Sequence, residues 1–319
     1  MENVDVSIVI VCMNNLKNLY PCLESIEKYT TEVTYETLVV AYFFTKENLE
    51  KVKIDFPWVT FIESNEIRGF SENNNLALKQ AKGNYCFVVN DDTEIEHPAI
   101  DILVRSFDKV PSNVAIISPL ILNADRQVQV CGRPEFNRKT FLLSSLFRID
   151  PSKGSKYTNQ QGLFKTYNIL GAAFMIKTDV FRNVGFFDER FFFCPEDIAL
   201  STLLNKRGYE CWVDTSAKIV HFEGMSGKSL SMVQTATKPA ARKGIRIFYA
   251  QGNNLFYFFL CIFDFVYFFF SFLFHFFKGM LKTKPNYNYI LSIGDRHVLA
   301  TCFSTKTPKQ IFERFWIRD

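Results

Sequence analysis

From Val6 to about Phe222 the chain alternates short, nearly continuous apolar runs with stretches whose apolar residues recur at helical spacing. That alternation predicts an α/β domain around a largely parallel sheet. The runs VSIVIV (6–11), ETLVVA (36–41), WVTFIE (58–63) and YCFVVN (85–90) predict strands. Helices are predicted between them over 16–29, near 46–53 and over 71–82, the last with Gly83 as its stop. Strands without polar alternation are buried on both faces. Beyond Asp92 the order loosens. A helix is predicted near 98–110, a strand over 114–121, and loops with short hairpins over 123–161. A strand over 171–177, a helix over 196–207 stopped by Gly208, and short strands over 211–213 and 217–222 complete this part. There is no internal repeat.

A second pattern begins after about residue 230. The segment LFYFFLCIFDFVYFFFSFLFHFF (255–277) is 23 residues long, enough by length to cross a membrane, yet carries Asp264 near its middle. Tyr257, Cys261, Asp264, Ser271, His275 and Lys278 fall on one helical stripe, which makes the helix amphipathic. A mid-bilayer Asp costs roughly 3 kcal/mol on insertion scales, and about a dozen Phe return a comparable sum, so hydropathy does not decide between spanning and lying flat. The stripe favours a helix lying in a membrane surface; a Phe-rich core or oligomer helix is the other reading. Lys238, Arg242, Lys243 and Arg246 upstream, with Lys278, Lys282 and Lys284 downstream, are expected to meet anionic headgroups. Two domains follow: residues 1–230, and a C-terminal helical, membrane-associating region over 231–319.

Composition narrows the classes. At 319 residues, 48% hydrophobic and 22% charged, the chain is globular, with room for a core that needs no disulfide staples. Lys plus Arg number 37 against 33 Asp plus Glu, a balance that excludes a dedicated nucleic-acid binder. No two of the eight cysteines are spaced as a zinc knuckle or redox pair, and they read as reduced thiols. The first apolar run lacks a basic flank and a small-residue cleavage site. The bulk of the chain is therefore expected in the cytosol.

Three polar clusters carry candidate chemistry. Asn90, Asp91 and Asp92 follow a buried strand, where open α/β sheets bind ligands, and adjacent acids there suit Mg²⁺ or Mn²⁺ holding a diphosphate. An isolated NDD is equally the acidic cap of a following helix. Glu196 and Asp197 sit in the first turn of a helix entered through Pro195, behind Phe191, Phe192 and Phe193. Acids in a first turn commonly do no more than stabilise the helix, although an apolar neighbourhood raises proton affinity and suits a general base. His221 ends a short strand before the loop Gly224 to Lys228, and a lone histidine is most often structural.

In order and spacing, VSIVIVCMNN (6–15), RGFSENNNLAL (68–78), GNYCFVVNDDT (83–93), GAAFMIKTDVFRNVGFFDERFFFCPED (171–197) and AKIVHFEGMSG (217–227) resemble the family-2 glycosyltransferases, in particular their rhamnosyltransferase-like branch. The likeness covers about residues 5–228. It implies the GT-A fold, a Rossmann-like mixed sheet, here with a Phe-rich helical extension. It also implies inverting transfer of a sugar from a nucleotide-diphosphate sugar to a hydroxyl of a glycan or polyprenyl-linked saccharide. The setting would be bacterial surface polysaccharide synthesis, O-antigen or capsule, at the inner face of the cytoplasmic membrane. A non-catalytic sugar-nucleotide or glycan-binding relative is the alternative, and pairing with a second copy stays open.

The resemblance also distributes roles. Asp92 and His221 match metal ligands for Mg²⁺ or Mn²⁺; Asp91, beside Asn90, matches a residue near the donor's ribose or sugar. Asp197 matches the catalytic base, with Glu196 orienting base or acceptor, and Gly171, Ala172 and Ala173 match the stretch lining the acceptor side. Arg68 and Asn75 are candidates for base or diphosphate contacts, or else cap and surface residues. One departure stands out: the acid that family members carry after the second strand is replaced here by Ala41-Tyr42-Phe43, so stacking on Tyr42 is the expected substitute.

Overall fold

The structure is a computed structural model that describes residues 4–130, 132–147, 157, 159–222, 232–280 and 287–316. Along the chain run β1 (Val6–Cys12), α1 (Leu16–Tyr29), β2 (Tyr35–Tyr42), α2 (Lys46–Asp55), β3 (Val59–Ser64), α3 (Phe70–Leu78), β4 (Tyr85–Asn90) and β5 (Thr93–Ile95). Then come α4 (Ala99–Ser106) with a 3-10 turn, β6 (Val114–Leu122), β7 (Val128–Val130), α5 (Arg138–Phe147), β8 (Leu163–Thr166), β9 (Ala173–Lys177), α6 (Thr178–Val184), α7 (Glu196–Lys206) and β10 (Glu210–His221). Among the described residues four helices follow: α8 (Met232–Ala250), α9 (Asn254–Met280), α10 (Tyr287–Leu299) and α11 (Pro308–Phe315). Two compact units result. Unit 1 takes the described residues within 1–66, 72–188 and 196–226, and unit 2 those within 67–71, 189–195 and 227–319.

Unit 1 is a mixed sheet in the order β3-β2-β1-β4-β9-β6-β10-β5, with β7 on β6 and β8 on β10. β3, β2, β1 and β4 are parallel, as the apolar runs imply, and β9 enters antiparallel between β4 and β6. Val6, Ile8, Ile10, Val39, Phe87, Val89 and Met175 form one buried cluster with Leu19, Leu23 and Ile26 of α1. That burial is what holds the helix to the sheet.

Several expectations are corrected. Helix α3 ends at Leu78, not at 82: the N–H groups of Gln80 and Ala81 tighten onto Ala77 O and Leu78 O, three residues back, and the next two leave the helix. Those of Lys82 and Gly83 donate to Ser7 Oγ at 3.0 and 2.8 Å. Gly83 is required for another reason: a Cβ there would lie 2.5 Å from Ser7 N. The two short strands over 211–213 and 217–222 are one strand, β10, whose register shifts between Asp214 and Lys218. The polar stretch over 123–161 contains α5 besides a hairpin strand.

Unit 2 gathers the C-terminal helices and two short earlier segments. Phe70 N donates to Phe192 O at 3.0 Å, and Phe192 packs its ring 4.7 Å from that of Phe312, over Ala236 and Ala240 of α8. On helix α9 the polar stripe is held by neighbouring helices. Asp264 is 1% exposed and pairs with Arg242 and with Arg246, the latter at 2.7 Å and itself fully buried. Asp295 of α10 accepts from Ser271 at 2.8 Å, lies 2.7 Å from His275, and pairs with Lys238. Lys243 Nζ donates to Ser304 O at 2.7 Å. Apart from Lys278, which is exposed, the stripe faces protein, and the upstream basic residues neutralise it or bond within the unit, because a buried carboxylate demands compensation. Lys282 and Lys284 lie outside the described residues.

Candidate active site

The two acidic clusters are brought together by strand β9. Val89 of β4 is registered against Ala173 of the antiparallel β9, and Asn90 N donates to Ala172 O at 2.9 Å. The end of β4 that delivers Asp91 and Asp92 thus adjoins the start of β9, where Gly171 N donates to Asp197 Oδ2 at 3.1 Å. Gly171 fits that approach: an added Cβ would stand 3.2 Å from Asp197 Cβ.

Asp92 and His221 meet because β5 turns back along β10. His221 is registered against Thr93, and Phe222 N donates to Asp92 O at 2.9 Å. His221 Nε2 then lies 3.3 Å from Asp92 Oδ1, with both side chains nearly buried. The other ring nitrogen, Nδ1, is 3.0 Å from Gln129 Oε1. With Nδ1–H donating to that oxygen, Nε2 turns its lone pair toward the carboxylate, an arrangement that calls for a cation or proton between them. Burial pushes the Asp91 carboxyl up to about 7; a hydrogen bond from Cys12 opposes the rise and the charge of Asp92 adds to it. Burial and the Asp91 carboxylate in turn push the Cys12 thiol up.

Among the described residues no group of three or more His, Cys, Asp or Glu side chains forms an all-protein metal cage. The pair fits a cation that keeps most of its sphere for phosphate and water, as Mg²⁺ does. Two neighbouring ligands of an octahedral ion with bonds of about 2.1 Å stand about 3 Å apart, close to the observed 3.3 Å.

Asp197, in the first turn of α7, is 9% exposed. Its Oδ2 also pairs with Arg133 Nη1 at 3.2 Å, and its Oδ1 accepts from Ile198 N at 2.7 Å. The Arg133 guanidinium lies 4.9 Å from the centre of the Phe136 ring. Its backbone is fixed by a bridge to Asn168 and by Thr166 Oγ1, which accepts from Arg133 N at 2.9 Å. Arg133, Gln129 and Cys12 were not legible as site residues; the first two lie in the stretch read as loops, and no motif marks them.

The other expected residues are placed as follows. Glu196 opens α7 beside Asp197 and is half-buried. Ala172, just before β9, and Ala173, its first residue, are buried, and Gly171 is the partly open member of the three expected to line the acceptor side. Tyr42 ends β2 buried, its ring 4.4 Å from that of Phe43, so Phe43 is the more open of the pair. Asn75 pins the backbone near Phe187: its amide donates to Phe187 O at 2.9 Å and accepts from Phe187 N at 3.1 Å. Arg68 belongs to unit 2. The loop Gly224 to Lys228 lies outside the described residues.

A mixed sheet of this order, with paired acids beyond the end of β4, defines a GT-A fold. The family model "Glycosyl transferase family 2" matches residues 7–185, more than half of the chain, and the chain belongs to that family. It is similar to the O-antigen biosynthesis protein RfbC of Myxococcus xanthus, 24% identical over 215 residues. That match takes in 66% of this chain but spans only 16% of the relative's length. Among solved structures, the chain is similar to GalNAc-T7 with UDP, GalNAc and Mn²⁺: TM-score 0.54, 17% identity, 74% of this chain and 47% of that one. It is also similar to the mannosyltransferase PcManGT from Pyrobaculum calidifontis in complex with GDP-Man and Mn²⁺: TM-score 0.50, 13% identity, 98% of this chain and 79% of that one. At these identities the likeness is one of fold.

Proposed function

We propose that this chain is an inverting glycosyltransferase, of the rhamnosyltransferase-like branch, that moves a sugar from a nucleoside-diphosphate sugar to a hydroxyl of a lipid-linked glycan in bacterial surface polysaccharide synthesis. The observation that carries the reading is the junction of Asn90 with Ala172 and of Gly171 with Asp197, which sets both acid clusters at one end of two adjacent strands. Family membership and the O-antigen relative support the class, and the UDP and GDP-Man held with Mn²⁺ by the fold relatives support the donor type. The acceptor class and a place at the inner face of the cytoplasmic membrane belong to the same proposal.

Displacement at an anomeric carbon needs a proton taken from the incoming hydroxyl on one face and negative charge stabilised on the leaving side. Asp197 is the group that takes the proton. Its carboxylate is oriented by Gly171 N and Arg133, which fix Oδ2. Asp92 and His221 would hold Mg²⁺ or Mn²⁺, which when bound offsets the charge of the departing diphosphate. Gln129 fixes the tautomer of His221 that such a role requires. Asp91 would meet the donor's ribose or sugar, and Asn90 anchors the turn through its backbone.

The test is product mass spectrometry with UDP-, GDP- and dTDP-sugars, polyprenyl-linked acceptors and Mn²⁺. Wild type is expected to transfer, and Asp197→Asn to lose at least about a hundredfold in rate while its melting temperature holds. Wild-type turnover in that variant would refute the base assignment, and donor binding without transfer by the wild type would favour a non-catalytic binder.

A further inference from the structure

We propose that unit 2 docks on an anionic bilayer with α9 lying in the membrane plane, its Phe face in hydrocarbon and its polar stripe turned away from lipid toward α8 and α10. This deepens the membrane side of the proposed function by naming the face, the depth and the lipid class, and it is tested without any sugar substrate.

The exposed face is set by what the polar face does. Asp264 and the partners of Asp295 fix one side of α9 to α8 and α10. The remaining side presents Leu255, Phe258, Ile262, Phe265, Phe270 and Phe274, each at least 43% exposed and Phe270 at 64%. Phe303 extends the patch, lying 6.1 and 6.0 Å from the rings of Phe258 and Phe265. In 27 residues the helix covers about 40 Å, and at 100° per residue its exposed apolar positions span an arc of about 200°.

The width of that arc and its lack of polar groups select the occupant. A packed helix covers a stripe of about 100°, so a second copy of α9 would leave half of the apolar arc in water. A protein interface also carries about one hydrogen bond per 100–200 Å², whereas from Leu255 to Phe277 the exposed side chains include a single hydroxyl, that of Tyr267, and no charge. Hydrocarbon conforms to the whole arc and needs no polar partner.

Spanning is disfavoured by the neighbours. Helices α8 and α10 pack along α9, and Lys238, Arg242, Lys243, Arg246 and Asp295 would enter the hydrocarbon with it. The anionic preference follows from the C-terminal end of α9. There Phe272, Phe276, Tyr289, Ser292, Ile293 and Arg296 line an open hollow of about 140 Å³. Arg296 is exposed, and so is Lys278, whose Nζ lies 5.3 Å from the Phe274 ring centre. Two cations bordering an apolar face match phosphate headgroups.

The full-length chain is floated with vesicles of phosphatidylcholine alone and of phosphatidylcholine with an equal part of phosphatidylglycerol. Wild type is expected to float with both and more strongly with the anionic ones. The double variant Phe270→Gln, Phe274→Gln should lose about a hundredfold or more in partition at an unchanged melting temperature. Lys278→Gln with Arg296→Gln should lose the anionic preference, about tenfold, and keep the neutral binding. Depth is read from Phe259→Trp, Val266→Trp and Phe277→Trp, which share one exposed line of α9, by brominated-lipid quenching of the added fluorescence: equal depth supports the in-plane placement, and a Val266 position much deeper than the other two, as in a span, overturns it. A wild type that stays with the soluble fraction, or that self-associates through the patch and ignores vesicles, overturns the docking itself. Vesicle binding without sugar transfer leaves docking standing and fails only the enzymatic reading.

Discussion

Replacing Asp264 by Asn tests the buried polar stripe of α9 most directly. If the stripe faced water, the change would be nearly silent, because exposed pairs contribute about 0–1 kcal/mol. In the structure, Asp264 is 1% exposed and Arg246 is 0% exposed, so the variant leaves a buried guanidinium without its counter-charge. Breaking a buried pair in this way costs about 3–5 kcal/mol. Arg242, with 20% of its side chain open, can turn toward water and adds little. One kcal/mol moves the melting temperature of a unit of 60–100 residues by about 4–8 °C, so the unit 2 transition should fall by at least about 12 °C. Thermal unfolding should be followed alongside hydrogen exchange over α8 and α9, because two units need not melt together. The companion Asp264→Leu, Arg246→Met removes both charges and should recover most of the loss. A drop below about 4 °C for the Asn variant, or no recovery in the double variant, would refute the buried-pair account.

Two further outcomes follow from unit 1. For Asp91, a carboxyl raised from 3.8 to about 7 makes the cation-free protein most stable with that group protonated; the contribution, up to about 4 kcal/mol, is lost as pH rises toward and through 7. Chelated wild type should therefore melt lower at pH 8 than at pH 5, Asp91→Asn should show a smaller difference, and Mn²⁺ should restore the wild type at pH 8; identical pH profiles for the two proteins would refute the assignment. Gly83→Ala places a methyl group 2.5 Å from the Ser7 nitrogen, a backbone atom that cannot swing aside. It should cost about 1–3 kcal/mol in denaturant unfolding despite the higher helix propensity of alanine, and a stabilised variant would show that Gly83 is a helix stop after all.

What was legible in the sequence is what burial writes into it. The runs at β1, β2 and β4 are apolar because both faces are covered, and the structure places them within a residue of the expected bounds. Asp91, Asp92 and Asp197 were visible because each follows or begins an element at a place where chemistry is common. Gln129 and Arg133 were not, because their roles depend on registers made by distant residues: Arg133 on its bridge to Asn168, Gln129 on β7 folding back along β6.

Helix α9 shows the same limit from the other side. The spacing of Asp264, Ser271 and His275 located the polar stripe correctly, but amphipathicity states only that two faces differ. Which face meets water is settled by whether a counter-charge waits on a neighbouring element, and Arg246 stands 18 residues earlier on a helix whose packing no periodicity reveals. A carboxylate in a Phe-rich helix is therefore an instruction to look for a buried cation before assuming solvent, and α8 carries Arg242 and Arg246 one helical turn apart to meet it.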